Sequence, residues 1–123
     1  MIQKVQKHLF KFEPNEYPLE PGLRLLEASA GTGKTFALAH LVLRLITEGN
    51  HNLNKILVVT FTDAAAAELR ARISKRIEAA LEGLEAIEKD IQKQSNDDVL
   101  KEWLELKGQQ KQTRSKWASL LLE

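Results

Sequence analysis

The sequence predicts an α/β fold: a βαβ unit with a glycine-rich corner, followed by a run of helices. Three observations predict it. A compact apolar stretch, Leu23 to Glu27, runs into the loop Ala28-Ser29-Ala30-Gly31-Thr32-Gly33-Lys34-Thr35. Beyond Lys34 the apolar residues recur at helical spacing. The unbroken run Ile56-Leu57-Val58-Val59-Thr60-Phe61, rich in β-branched residues, then suits a parallel strand covered on both faces.

Residues 1–22 read as an N-terminal arm, because Pro14, Pro18 and Pro21-Gly22 break any helix; a short extended piece fits around His8 to Phe12. Leu23 to Glu27 follows the Pro-Gly turn as a short buried strand. A helix starts at Lys34, carries Leu38, Leu41, Val42, Leu45 and Ile46 on one side, and stops at Glu48-Gly49. Asn50 to Asn54 is a polar connector into the second strand, which completes a P-loop α/β unit over residues 23–63. From 64 to 123 the pattern is helical. Asp63 is placed to cap a helix starting at Ala64, with Leu69, Ile73, Ile77, Leu81, Leu84, Ile87 and Ile91 in one stripe. The stripe covers barely three heptads, so it predicts an internal packing face and not a coiled coil. Gly83 interrupts it at a cost of about 1 kcal/mol relative to alanine, which packing can offset. Ser95 to Asp98 marks a break and a new cap, and Val99 to Leu106 and Thr113 to Leu122 follow as helices separated near Gly108.

With 123 residues the chain suits one domain with a real core. Its net charge of +1 does not mark a nucleic-acid binder, so any DNA contact must come from local placement. The absence of cysteine excludes disulfides and thiolate metal sites. No apolar stretch is long enough for a bilayer, no secretory signal opens the chain, and a cytoplasmic location without a membrane partner is the expectation. His8, His40 and His51 lack metal-ligand spacing, and surface or core roles are expected of them. Trp103 and Trp117 are expected to pack; the alternative is that they cover a surface normally buried by absent domains.

The loop carries the chemistry. A phosphate chain needs several short hydrogen bonds from donors that cannot collapse onto it, and glycines let backbone N–H groups turn towards it at the positive end of the following helix. Gly31 and Gly33 permit the turns, Lys34 reaches the β- and γ-phosphates, and Thr35 offers a hydroxyl to Mg²⁺. Ala28, Ser29, Ala30 and Thr32 complete the cradle. The first position of the usual pattern is glycine, and here it is Ala28. The alternative is a glycine-rich turn with an incidental lysine.

Leu26 to Thr35 resembles motif I of superfamily 1 DNA helicases of the UvrD/Rep type, and its wording is closest to the RecB branch, the beta subunit of exodeoxyribonuclease V. In that branch alanine is expected at the position of Ala28. Val58 to Ile73 resembles motif Ia of the same family. The resemblance implies a partial P-loop NTPase (RecA-like) domain with parallel strands, and a motor that uses ATP and Mg²⁺ to move on single-stranded DNA and unwind duplex from its ends. Lys34 and Thr35 would be its catalytic pair here, and Thr60, Phe61 and Thr62 its DNA contacts, with other subunits of a helicase-nuclease for double-strand break repair and recombination as partners. The aromatic ring of Phe61 suits stacking on a base; its alternative is closing the core beneath the next helix. The family's adenine-reading glutamine has no counterpart in Tyr17 to Pro21.

ATP hydrolysis also needs an acidic pair at a strand end. Asp97-Asp98 follows a polar stretch and is not one, and the later helicase motifs are missing. The chain is therefore expected to be an N-terminal piece of a larger protein, ending within the start of a helical insertion and inactive alone. Arg70, Arg72, Lys75 and Arg76 suit DNA phosphates or a solvated helix face. The competing functions are a small P-loop phosphotransferase or nucleotide-binding module unrelated to helicases, and a non-catalytic remnant that binds nucleotide or a partner.

Overall fold

The computed structural model describes residues 12–25, 34–90, 97–107 and 111–122. The extended piece expected before Phe12, the last stripe residue Ile91 and the separator Gly108 lie outside them. Among the described residues four α-helices make up the core: α1 (Lys34–Thr47), α2 (Asp63–Glu88), α3 (Asp98–Lys107) and α4 (Lys111–Leu122), with one 3₁₀ turn at Leu53–Lys55.

The α/β expectation is corrected here, because the described residues contain no β-strand. Leu23 to Leu25 is irregular and exposed, and the rest of that predicted strand lies outside the described residues. Residues 56–60 run extended into α2 without ladder hydrogen bonds. Their cover is one-sided. Ile56, Val58 and Thr60 line a groove of about 300 Å³ with Leu69, Ile73 and Ile77 of α2. Leu57 and Val59, by contrast, are 87% and 79% exposed. A strand consists of paired backbone groups, and an apolar run by itself supplies none.

The helices sit where the apolar spacing put them, and their ends show why. Asn50, at φ 54, turns the chain out of α1, and the His51 N–H reaches back to the Leu45 carbonyl at 2.9 Å. Thr62, not Asp63, caps α2, its hydroxyl accepting from the Ala65 N–H at 3.0 Å. Asp97 caps α3 by accepting from the Leu100 N–H at 2.9 Å. The core joins Val42, Leu43 and Ile46 of α1, Ala80 and Leu84 of α2, Leu100 and Trp103 of α3, and Trp117 and Leu121 of α4. The two indoles stack with centroids 5.0 Å apart and planes 18° from parallel. Gly83 leaves room for Leu104 between α2 and α3: a Cβ there would come within 2.5 Å of the leucine Cδ1. No described helix is long and apolar enough to cross a membrane.

Candidate functional site

Lys34 and Thr35 form the first turn of α1. Lys34 is exposed and Thr35 half-buried, while Ala37, Ala39 and His40 behind them are buried. The helix thus anchors itself through its second turn. Its first turn holds no acidic residue. The first N–H groups of a helix have no intrahelical partner, and with an ammonium and a hydroxyl beside them they suit a phosphate with its Mg²⁺. The donor set fits that group. Ala28, Ser29, Ala30, Gly31, Thr32 and Gly33 lie outside the described residues.

Thr60, Phe61 and Thr62 form the approach to α2. The hydroxyl of Thr60 donates to the Thr62 carbonyl at 3.1 Å, and that of Thr62 holds the helix cap. Phe61, between them, is 106% exposed. Among the described residues Phe61 closes no core.

Arg70, Arg72 and Lys75 are exposed on α2, with Arg72 in an ion pair of 3.5 Å to Glu68. Arg76 is different, being buried, and neither a solvated face nor a phosphate contact describes it. Its Nε and one terminal nitrogen approach His40 Nδ1 at 3.1 and 2.7 Å, its other terminal nitrogen pairs with Asp97, and its guanidinium carbon lies 4.5 Å from the centre of the Phe36 ring. An arginine can only donate, so Nδ1 of His40 accepts and Nε2 carries the hydrogen. Nε2 then donates to Asn15 Oδ1 at 2.6 Å, and Asn15 Nδ2 donates to the Val99 carbonyl at 3.1 Å. Burial, helped by the charges of Arg76 and Arg44, lowers the His40 pKa to about 3. Burial also pushes Arg76 down to about 10, which still leaves it charged at neutral pH.

A second buried arginine lies one turn on. Arg44 donates to the Pro14 and Tyr17 carbonyls, both at 2.8 Å, and grips Glu48 at 2.7 and 3.2 Å. Glu48 also accepts from Trp103 Nε1 at 3.1 Å and pairs with Lys107. Burial alone would raise the Glu48 carboxyl, but the hydrogen bonds from Arg44, Lys107 and Trp103 and the Arg44 charge hold it below the ordinary carboxylate value. Sequence reasoning missed both networks. One signal was present: His40 and Arg44 interrupt the apolar run Ala39 to Ile46 at a spacing of one helical turn. Asp97, expected to be no metal-holding acid, serves as cap and arginine partner.

Comparison with known proteins follows the same residues. The UvrD/REP helicase N-terminal domain profile matches residues 15–119. RecBCD enzyme subunit RecB of Mycolicibacterium smegmatis is 48% identical over 90 residues, which is 73% of this chain and 8% of the relative. The RecB subunit of Escherichia coli is 49% identical over 73 residues, 53% of this chain and 6% of the relative. An ATP-dependent helicase/nuclease subunit of Clostridium perfringens is 50% identical over 60 residues, 47% of this chain and 5% of the relative. The chain thus spans less than a tenth of the length of these relatives. No solved structure matches significantly. With Lys34 and Thr35 opening α1 and the profile running from Asn15 into α4, this chain belongs to the UvrD/REP helicase N-terminal domain family.

Proposed function

We propose that the chain is the N-terminal part of an ATP-dependent DNA helicase, a RecB-like subunit of a helicase-nuclease that works on duplex ends in the cytoplasm. ATP with Mg²⁺ binds at the loop from Ala28 to Thr35, and single-stranded DNA at Thr60, Phe61 and Thr62. The observation that carries this reading is the first turn of α1, where an exposed Lys34 stands beside Thr35 with no carboxylate to repel a phosphate. Bound nucleotide would supply the phosphoryl group whose transfer drives the motor. Lys34 places its charge on the β- and γ-phosphates, and the Thr35 hydroxyl orients towards Mg²⁺. Phe61 offers a ring to a base, and exposed backbone around it suits phosphates. The names of the relatives, ATP-dependent helicase/nuclease and RecBCD subunits, support ATP use and a helicase-nuclease.

Lys34→Ala in the complete helicase tests it. Loss of the loop cation should lower steady-state ATPase on the order of 10²-fold or more. Turnover near the wild-type rate overturns the assignment.

A further inference from the structure

Arg76 occupies the joint of four segments. It touches Phe36 and His40 of α1, projects from the middle of α2, and pairs with the capping residue of α3. Through His40 it also reaches Asn15 in the segment upstream of the loop. Both chain segments that flank the nucleotide loop therefore meet at the His40–Arg76 pair. Phe36 directly follows Thr35, so the first turn of α1 cannot shift without moving the ring on which Arg76 rests. From Arg76 back to Asp63, α2 is one unbroken helix ending at the Thr62 cap, beside the exposed Phe61.

Packing alone does not call for an arginine here. Replacing a buried ion pair by apolar groups of similar volume is often neutral or stabilising, whereas its directional bonds specify one arrangement. Close-packed joints of this kind switch between discrete arrangements and do not deform continuously. We propose that Arg76 is a positioning residue that locks the first turns of α1 to α2, so that nucleotide at Lys34–Thr35 and single-stranded DNA at Thr60–Thr62 alter each other's binding. The proposal rests on the function assigned above and adds the residue through which its two sites communicate.

The test measures affinity in the complete helicase for a labelled oligothymidine with and without AMP-PNP·Mg²⁺, and for AMP-PNP·Mg²⁺ with and without the oligonucleotide. Linkage requires the two ratios to be equal, and in the wild type they should be about fivefold or more. Two variants cut the joint. Phe36→Leu keeps an apolar side chain and removes the ring; Arg76→Lys keeps the charge and removes the fork. Each should leave melting temperature and the affinity for either ligand alone close to wild type, while the ratios fall to unity. Ratios unchanged in the folded variants overturn the proposal. So does a parallel loss of both single-ligand affinities and of stability, the pattern of a merely structural residue. If Arg76→Lys does not fold, Phe36→Leu decides by the same measurements. A wild type that binds both ligands with no coupling overturns this inference and leaves the functional reading standing, whereas one that binds neither overturns both.

Discussion

Phe61 stands clear of the fold while the hydroxyls on either side of it are engaged by local backbone. Its substitution should therefore separate DNA contact from stability. Phe61→Ala in the complete helicase should weaken single-stranded DNA binding by roughly 1–3 kcal/mol, the cost of one lost stacking platform. The melting temperature and nucleotide affinity should hold, since an exposed side chain far from core features shifts stability by only about 0.5 kcal/mol. Fluorescence anisotropy with a labelled oligonucleotide checks it, and unchanged DNA affinity removes Phe61 from the interface. At this scale the sequence was informative where chemistry is local. Lys34 and Thr35 announced themselves because a phosphate loop concentrates its donors in consecutive residues. His40, Arg44 and Arg76 did not, because what satisfies a buried polar or charged group comes from elsewhere in the chain: Asn15 for His40, the Pro14 and Tyr17 carbonyls for Arg44, Asp97 for Arg76.

Helix α2 shows what an element owes to its ends. Its first orphan donor is satisfied by Thr62, one residue earlier than Asp63, which instead lies in the first turn, where a carboxylate favours the helix dipole. Thr62→Ala should lower stability by about 1 kcal/mol, read as a fall in denaturant midpoint, and Thr62→Ser should restore most of it. An unaffected midpoint in the alanine variant would mean that the cap contributes nothing. Since this hydroxyl holds the helix, its contact with DNA would compete with its capping bond. Helix spans were legible because period 3.6 requires no knowledge of the partner: Val42 and Ile46 face inward whatever covers them. The run from Ile56 to Phe61 was not. A continuous apolar stretch states that cover is wanted, and says nothing of whether it arrives on one face or two. Among the described residues only α2 and its neighbours supply it, and on one side.

The whole molecule should be acid-labile, with the sign set by its two buried networks. Folded His40 titrates near 3 against an ordinary 6.5. Between those values an unfolded chain takes up a proton that the fold refuses, so stability is fully present above pH 6.5 and declines as pH falls towards 3. Glu48 acts in the same direction, since its folded carboxyl is held low: its contribution is present above the ordinary carboxylate value and is lost as pH drops through the depressed one. His40 should remove on the order of a few kcal/mol between neutral pH and about pH 4, and Glu48 adds to the loss at lower pH. Thermal melts across that range check it. His40→Gln, which keeps a donor and an acceptor, should flatten the upper part of the profile, and a pH-independent wild-type melt contradicts the account. The stacked indoles bear on how such melts can be followed. The chain's two tryptophans are both in that stack, one from α3 and one from α4, buried beside α1 and α2. Their intrinsic emission is therefore a single optical gauge of whether these helices are closed, read beside Glu48 just past the C-terminal end of α1. A change in emission on adding ligand would signal that the packing of α3 against α4 has moved, with no label attached.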